Sequence, residues 1–124
     1  SSIELTQLTQ GLANPSHFAG LHFFNPVSRL ELIEVVSHPR SDEQVLARLR
    51  AFVTRIDRLP APVRSYPGFL VNRVLMPYLM EALVLLDEGL DKTLIDRAAT
   101  RFGMPMGPLD WQGLLPMVGR KNPE

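Results

Sequence analysis

The sequence contains no cysteine. That excludes a disulfide framework, a thiolate metal site and a cysteine nucleophile, and leaves the compartment open while fitting a reducing cytosol. Neither sign of charge is in excess, with Lys+Arg 13 against Asp+Glu 13. Such a balance gives no pull toward nucleic acid or an anionic membrane surface, and neither is expected as a partner. A run of about 18 apolar residues, the least a membrane helix needs, is also missing. The best candidate, Phe69 to Leu86, is interrupted by Asn72-Arg73, Pro77 and Glu81. The histidines His17, His22 and His38 show no H-x-x-x-H or H-E-x-x-H spacing, so no metal site is expected. There is no G-x-G-x-x-G and no G-x-x-x-x-G-K, hence no phosphate-cradling loop. The start at Ser1-Ser2 has no Met and none of the regions of a signal peptide, so the chain is expected to begin inside a longer protein.

What is present is 124 residues, 45% of them hydrophobic, enough for one ordinary domain or pieces of two. Leu5, Leu8 and Leu12 follow helical spacing up to the breaker Asn14-Pro15-Ser16. Leu21 to Asn25 and Leu30 to Val36 are short, apolar and rich in aromatic or β-branched residues, and read as two strands. Ser41-x-x-Gln44 has the form of a capping box. After it Val45, Leu46, Leu49, Phe52, Val53 and Ile56 trace one stripe of a helix over about 42–56. Leu59 to Ser65 is extended but holds Pro60 and Pro62, which cannot donate to a ladder, so it is an edge strand or a linker.

From Phe69 to Asp87 the chain turns to helix formers that are apolar almost all round, which predicts a helix covered on every side. In so short a chain the far cover has to come from another segment or a second subunit. Pro77 predicts a kink. Gly89 ends this helix and Asp91 caps the next, whose expected buried face is Leu94, Ile95, Ala98 and Phe102. The order strand, strand, helix, extended segment, then helices only, is that of the end of an α/β sheet followed by the opening of an all-helical domain.

The residues that could carry chemistry are few. His22, flanked by Leu21 and Phe23-Phe24, reads by itself as a core histidine bonded to a backbone carbonyl. Glu34 changes that reading, because a carboxylate inside Leu32-Ile33-Glu34-Val35-Val36 costs several kcal/mol unless paired. His22 is the nearest cation if the two strands are neighbours. A carboxylate on one imidazole nitrogen fixes the tautomer and leaves the other nitrogen to take a proton from a substrate hydroxyl, which is general-base chemistry. Glu31 is a rival partner, placed by strand alternation on the opposite face from Glu34. Asn72, near the start of the apolar helix, either bonds unpaired amides of the first turn or aims a neutral donor at a substrate oxygen. Arg73 reads as an ion-pairing or snorkelling side chain, and His17 and His38 as surface residues.

Taken together, Ser1-Ser2-Ile3, Gly20-Leu21-His22-Phe23-Phe24-Asn25-Pro26-Val27, Leu32 to Val36, Pro67-Gly68-Phe69-Leu70-Val71-Asn72-Arg73 and Pro105-Met106-Gly107-Pro108 resemble the L-3-hydroxyacyl-CoA dehydrogenase family. The resemblance runs from Ser1 to about Asp110. It implies residues 1–66 as the closing part of a Rossmann-type NAD-binding domain, without its G-x-G-x-x-G unit, and 67–124 as the start of a helical substrate and dimerisation domain. It further implies His22 as the catalytic base, Glu34 as the acid that orients it, Asn72 as a substrate contact, and Ser1 as a hydroxyl near the substrate oxygen and nicotinamide. Ser1 and Asn25 would be the cofactor contacts.

The implied reaction is oxidation of 3-hydroxyacyl-CoA to 3-ketoacyl-CoA with NAD in fatty acid β-oxidation, in a cytoplasmic protein. An isolated piece of this kind is expected to be inactive. The strings at 25–30 and 101–108 look more like the multifunctional fatty-oxidation α-subunits, with a thiolase subunit as the partner that likeness implies. After Pro108, Asp110-Trp111-Gln112-Gly113-Leu114 keeps the family pattern only loosely. The competing reading is a non-enzymatic helical module of the same superfamily that dimerises through residues 69–87.

Overall fold

The structure, a computed structural model, describes residues 3–110. Those residues form two compact units, divided between Arg73 and Val74. The first is built on a three-stranded sheet, β1 (Gly20–Phe23), β2 (Leu32–Ser37) and β3 (Leu59–Arg64), with β2 in the centre. β1 runs antiparallel to β2, and His22 faces Glu34 directly across the ladder. Alternation along β2 sorts its side chains. Ile33 and Val35, with Leu21 of β1, pack against Leu46, Leu49 and Val53. Val36 packs on the other side against Leu5 and Phe69, with Phe18 and Val63 nearby. Glu34 therefore points to that second face, two residues from Val36.

β3 pairs with β2 in parallel, as an edge strand. The prolines are compatible with this because in a parallel ladder only alternate amides face the neighbour. Here the flanking amides of Leu59 and Ser65 bond Glu31 and Ser37 at 2.8 and 2.6 Å. Pro60 and Pro62 hold the intervening register, where an N–H would point to the open edge.

The first helical expectation shrinks to one turn, α1 (Leu5–Leu8), in which only Leu5 is buried. Leu8 and Leu12 are exposed, and a 3-10 turn follows at Pro15–His17. α2 (Glu43–Arg55) starts one residue off the expected box. Asp42 is its N-cap, taking the Gln44 amide at 2.7 Å. Ser41 is occupied elsewhere, accepting from the His38 amide at 2.9 Å. The stripe of α2 is narrower than its apolar positions suggest, for Phe52 and Ile56 are exposed.

His38 departs from its expected place. It was expected at the surface, yet it is buried. Its Nε2–H lies 3.0 Å from the carbonyls of both Pro15 and Phe18, and its Nδ1 accepts the Arg40 amide. The proline after it does keep it out of a helix. The ring nonetheless turns inward, because the 15–18 segment needs a donor for its carbonyls. His17 is exposed, as expected.

The second unit contains the rest of α3 (Val71–Asp87), α4 (Lys92–Phe102) and a 3-10 turn at Pro108–Asp110. α3 passes through Pro77 as one helix. Leu79, Ala82, Ile95 and Leu109 form the core, with Leu75, Tyr78 and Leu83 against it. The all-round apolar helix is not covered all round, since Val74 and Met80 are exposed. Gly89, at φ +94°, ends it, and Asp91 caps α4 by accepting the Leu94 amide.

The buried face of α4 also differs from expectation. Leu94, Ala98 and Phe102 are exposed, and Ile95 and Asp96 are buried. Polar satisfaction explains the rotation. Asp96 accepts the Leu109 amide at 2.8 Å and the Lys92 ammonium at 2.8 Å, and Lys92 also bonds Asp110. Those bonds, Asp110 first, raise the Lys92 pKa. Most of the loosely kept pattern after Pro108, from Trp111 to Leu114, lies outside the described residues.

Gly107 fixes this arrangement. A Cβ there would lie 2.3 Å from Cβ, Cγ and Oδ1 of Asp96. Asp96 cannot retreat without giving up its bonds to Leu109 and Lys92, so Gly107→Ala is expected to destabilise by about 1–3 kcal/mol. The denaturant midpoint checks this. An unshifted midpoint would mean the turn adapts at no cost.

Candidate active site

The site grows from the register. His22 and Glu34 are directly opposed in an antiparallel pair, which sets their Cβ atoms close enough for side chains to meet on one face. His22 Nδ1 lies 2.8 Å from Glu34 Oε2. Glu34 is fully buried, at 0% exposure, while the His22 side chain keeps 24%. The rival Glu31 is exposed and precedes β2, so it plays no part.

A buried carboxylate needs donors for both oxygens. Oε1 receives the amides of Leu70 and Val71 at 3.0 and 2.9 Å. These are backbone groups at the entry to α3, where helical amides have no partner of their own and the peptide dipoles favour negative charge. With Oε1 accepting twice, Nδ1–H donates to Oε2, and the ring is the Nδ1–H tautomer. Nε2 has no protein partner among the described residues, so it is the nitrogen open to a substrate proton.

Two rings frame the imidazole edge-on: Phe24, centroid 4.8 Å away, and Phe69, 5.3 Å away. Phe69 follows Gly68 (φ +80°) and is itself left-handed at φ +48°. A bulky side chain in that region costs on the order of 1–3 kcal/mol and persists only when its surroundings hold it. Sequence reasoning passed over the two rings and the two amides. The signal for the amides was there: a buried acid must find donors, and Pro67-Gly68 marks a turn running into a helix start.

Asn72 is half-buried in the first turn of α3, next after the amides that hold Glu34, and is itself engaged in an interaction. Arg73 lies over the Tyr66 ring, 4.5 Å from its centroid, a cation–π contact that meets the expectation of a snorkelling side chain. Asn25 is exposed just beyond β1. Ser1 lies outside the described residues. No group of His, Asp and Glu able to hold a metal occurs among the described residues. No helix among them is long and apolar enough to cross a membrane.

Residues 1–66 match the family described as 3-hydroxyacyl-CoA dehydrogenase, NAD binding domain, and residues 68–117 match its C-terminal domain. The fatty acid oxidation complex subunit alpha of Psychrobacter cryohalolentis is 43% identical over 108 residues, covering 87% of this chain and 15% of that protein. The chain thus spans about a seventh of the length of such curated relatives. Among solved structures, the 3-hydroxybutyryl-CoA dehydrogenase of Escherichia coli superposes with a TM-score of 0.83 and 41% identity, covering 93% of this chain and 25% of that one. The (S)-3-hydroxybutyryl-CoA dehydrogenase of Ralstonia eutropha gives 0.81 and 35%, over 88% and 39%. Both family models fit in sequence order, and the chain belongs to the 3-hydroxyacyl-CoA dehydrogenase family.

Proposed function

We propose that this chain carries the proton-transfer part of an NAD-dependent L-3-hydroxyacyl-CoA dehydrogenase, which oxidises 3-hydroxyacyl-CoA to 3-ketoacyl-CoA in fatty acid β-oxidation. The observation that carries the reading is the 2.8 Å contact between a partly exposed imidazole and a fully buried carboxylate. In that pair Nε2 of His22 takes the proton of the 3-hydroxyl as C3 is oxidised. Glu34 keeps Nδ1 protonated, fixes the ring plane and lies against the positive charge that forms. Asn72 is the proposed donor to the substrate oxygen, Asn25 is proposed on the cofactor side, and the family resemblance gives Ser1 the role of a hydroxyl near the substrate oxygen and nicotinamide.

The described residues do not fit the pyrophosphate of a dinucleotide. A cradle needs a glycine-rich turn with free amides between a strand and a helix. The connection from β2 to α2 has no glycine and is filled by His38 and Ser41, which bond carbonyls and amides of their own neighbourhood. The groups that would cradle the pyrophosphate belong to other parts of the whole protein.

A purely structural module of the superfamily would have no use for a buried acid held against a half-open base. The exposed apolar positions of α3, Val74, Met80 and Val84 among them, support a dimer contact within the enzyme. The relatives named as subunits of a fatty acid oxidation complex support a multisubunit assembly, in which a thiolase-type subunit is the proposed partner, and the proposed location is cytoplasmic. The full-length protein is expected to turn over acetoacetyl-CoA with NADH, and the 124-residue chain alone is not. Absence of turnover by the full-length protein would defeat the reading. Sedimentation of that protein as a monomer at micromolar concentration would remove the dimer.

A further inference from the structure

We propose that Phe69 is a positioning residue for the base. Its ring packed across His22, together with the left-handed turn that aims the next two amides at Glu34, holds the imidazole in the orientation in which Nδ1–H meets Glu34 Oε2 and Nε2 stays available. The inference rests on the dehydrogenase reading and names a further residue of the same site.

Four observations converge. The backbone at Phe69 has φ +48°, a region glycine enters freely and a bulky residue rarely does. A phenyl group nevertheless stands there, only 7% exposed, packed with Leu5 and Val36. Its ring meets the imidazole at 5.3 Å and 72°, the edge-on geometry in which aromatic pairs attract. Finally, the residues donating to Glu34 Oε1 are the two that follow it, Leu70 and Val71.

Phe69 therefore touches one member of the pair by its ring and the other through the direction of its backbone. Phe24 frames the same imidazole but follows directly on β1, two residues after His22, and moves with that strand. Phe69 arrives from the turn after β3, so its ring gives the base a direct contact at the start of α3, beside the link that runs through Glu34. A ring that only filled the core would stabilise the fold without fixing the proton on Nδ1.

The test uses the full-length enzyme with 15N-labelled histidine. In the unmodified protein, His22 should show the Nδ1–H tautomer alone. Phe69→Leu keeps apolar bulk but removes the ring edge. It is expected to lower kcat by about 10- to 100-fold, with KM changed less than about threefold, and to give a mixture of His22 tautomers. Phe69→Tyr restores the edge and should return kcat to within about threefold of the original.

A tautomer mixture in the unmodified protein overturns the proposal, and that measurement stands even if a variant fails to fold. So does Phe69→Leu with unchanged kcat and an unchanged His22 spectrum. Should His22→Gln retain full turnover, the dehydrogenase reading itself fails. Should His22→Gln abolish turnover while Phe69→Leu changes nothing, only the positioning role is lost.

Discussion

His22→Gln in the full-length enzyme is expected to lower kcat by about 10²- to 10⁴-fold, which is about 3–5 kcal/mol of barrier, with little change in KM. Glutamine retains an N–H that can reach Glu34 Oε2, so the buried carboxylate keeps a donor and the sheet keeps its register. What is lost is the second nitrogen, which accepts the proton. Because that nitrogen acts on the hydroxyl and not on the bulk of the acyl-CoA, substrate affinity should survive. Steady-state kinetics in the oxidative direction read both quantities. A kcat within threefold of the original would remove His22 as the base.

Glu34→Gln is expected to lower kcat by about 10³- to 10⁴-fold through the tautomer. The amide oxygen of the glutamine can still accept from Leu70 and Val71, which keeps the entry of α3 in place. Its NH₂ group then faces Nδ1 of His22, two donors meet, and the imidazole relieves the conflict by moving its proton to Nε2. A ring protonated there cannot take a second proton from the substrate without becoming an imidazolium that no carboxylate supports. The loss of stability should stay near about 1–2 kcal/mol.

Glu34→Ala separates chemistry from folding, because it leaves the two amides and the Nδ1–H buried without an acceptor. That variant should lose about 3–5 kcal/mol in denaturant unfolding. If Glu34→Gln works at the original rate, the carboxylate is a structural anchor for α3 and nothing more.

Much of the architecture was readable because its signals are local. The apolar alternation of β2, the cap and stripe of α2, the prolines of an edge strand and the Gly89-Asp91 punctuation act over a few residues. Failures came where a side chain answered to a distant backbone group. His38 turned inward to serve carbonyls about 20 residues earlier. Asp96 turned inward to serve the Leu109 amide, and carried Leu94 and Phe102 outward with it. Periodicity counts apolar side chains, so it cannot see a buried polar group whose partner comes from elsewhere in the chain.

The candidate site divides along the same line. The residue order alone places an acid within a buried strand and a histidine in another, and the motif strings around them are those of a dehydrogenase family. Folding is what sets the two opposite in one register, brings helix-entry amides to the second carboxylate oxygen, and closes two phenyl rings on the imidazole. A tautomer is set by every donor and acceptor around the pair. Here those come from segments 12 to 37 residues apart, which only the folded backbone brings within 3 Å.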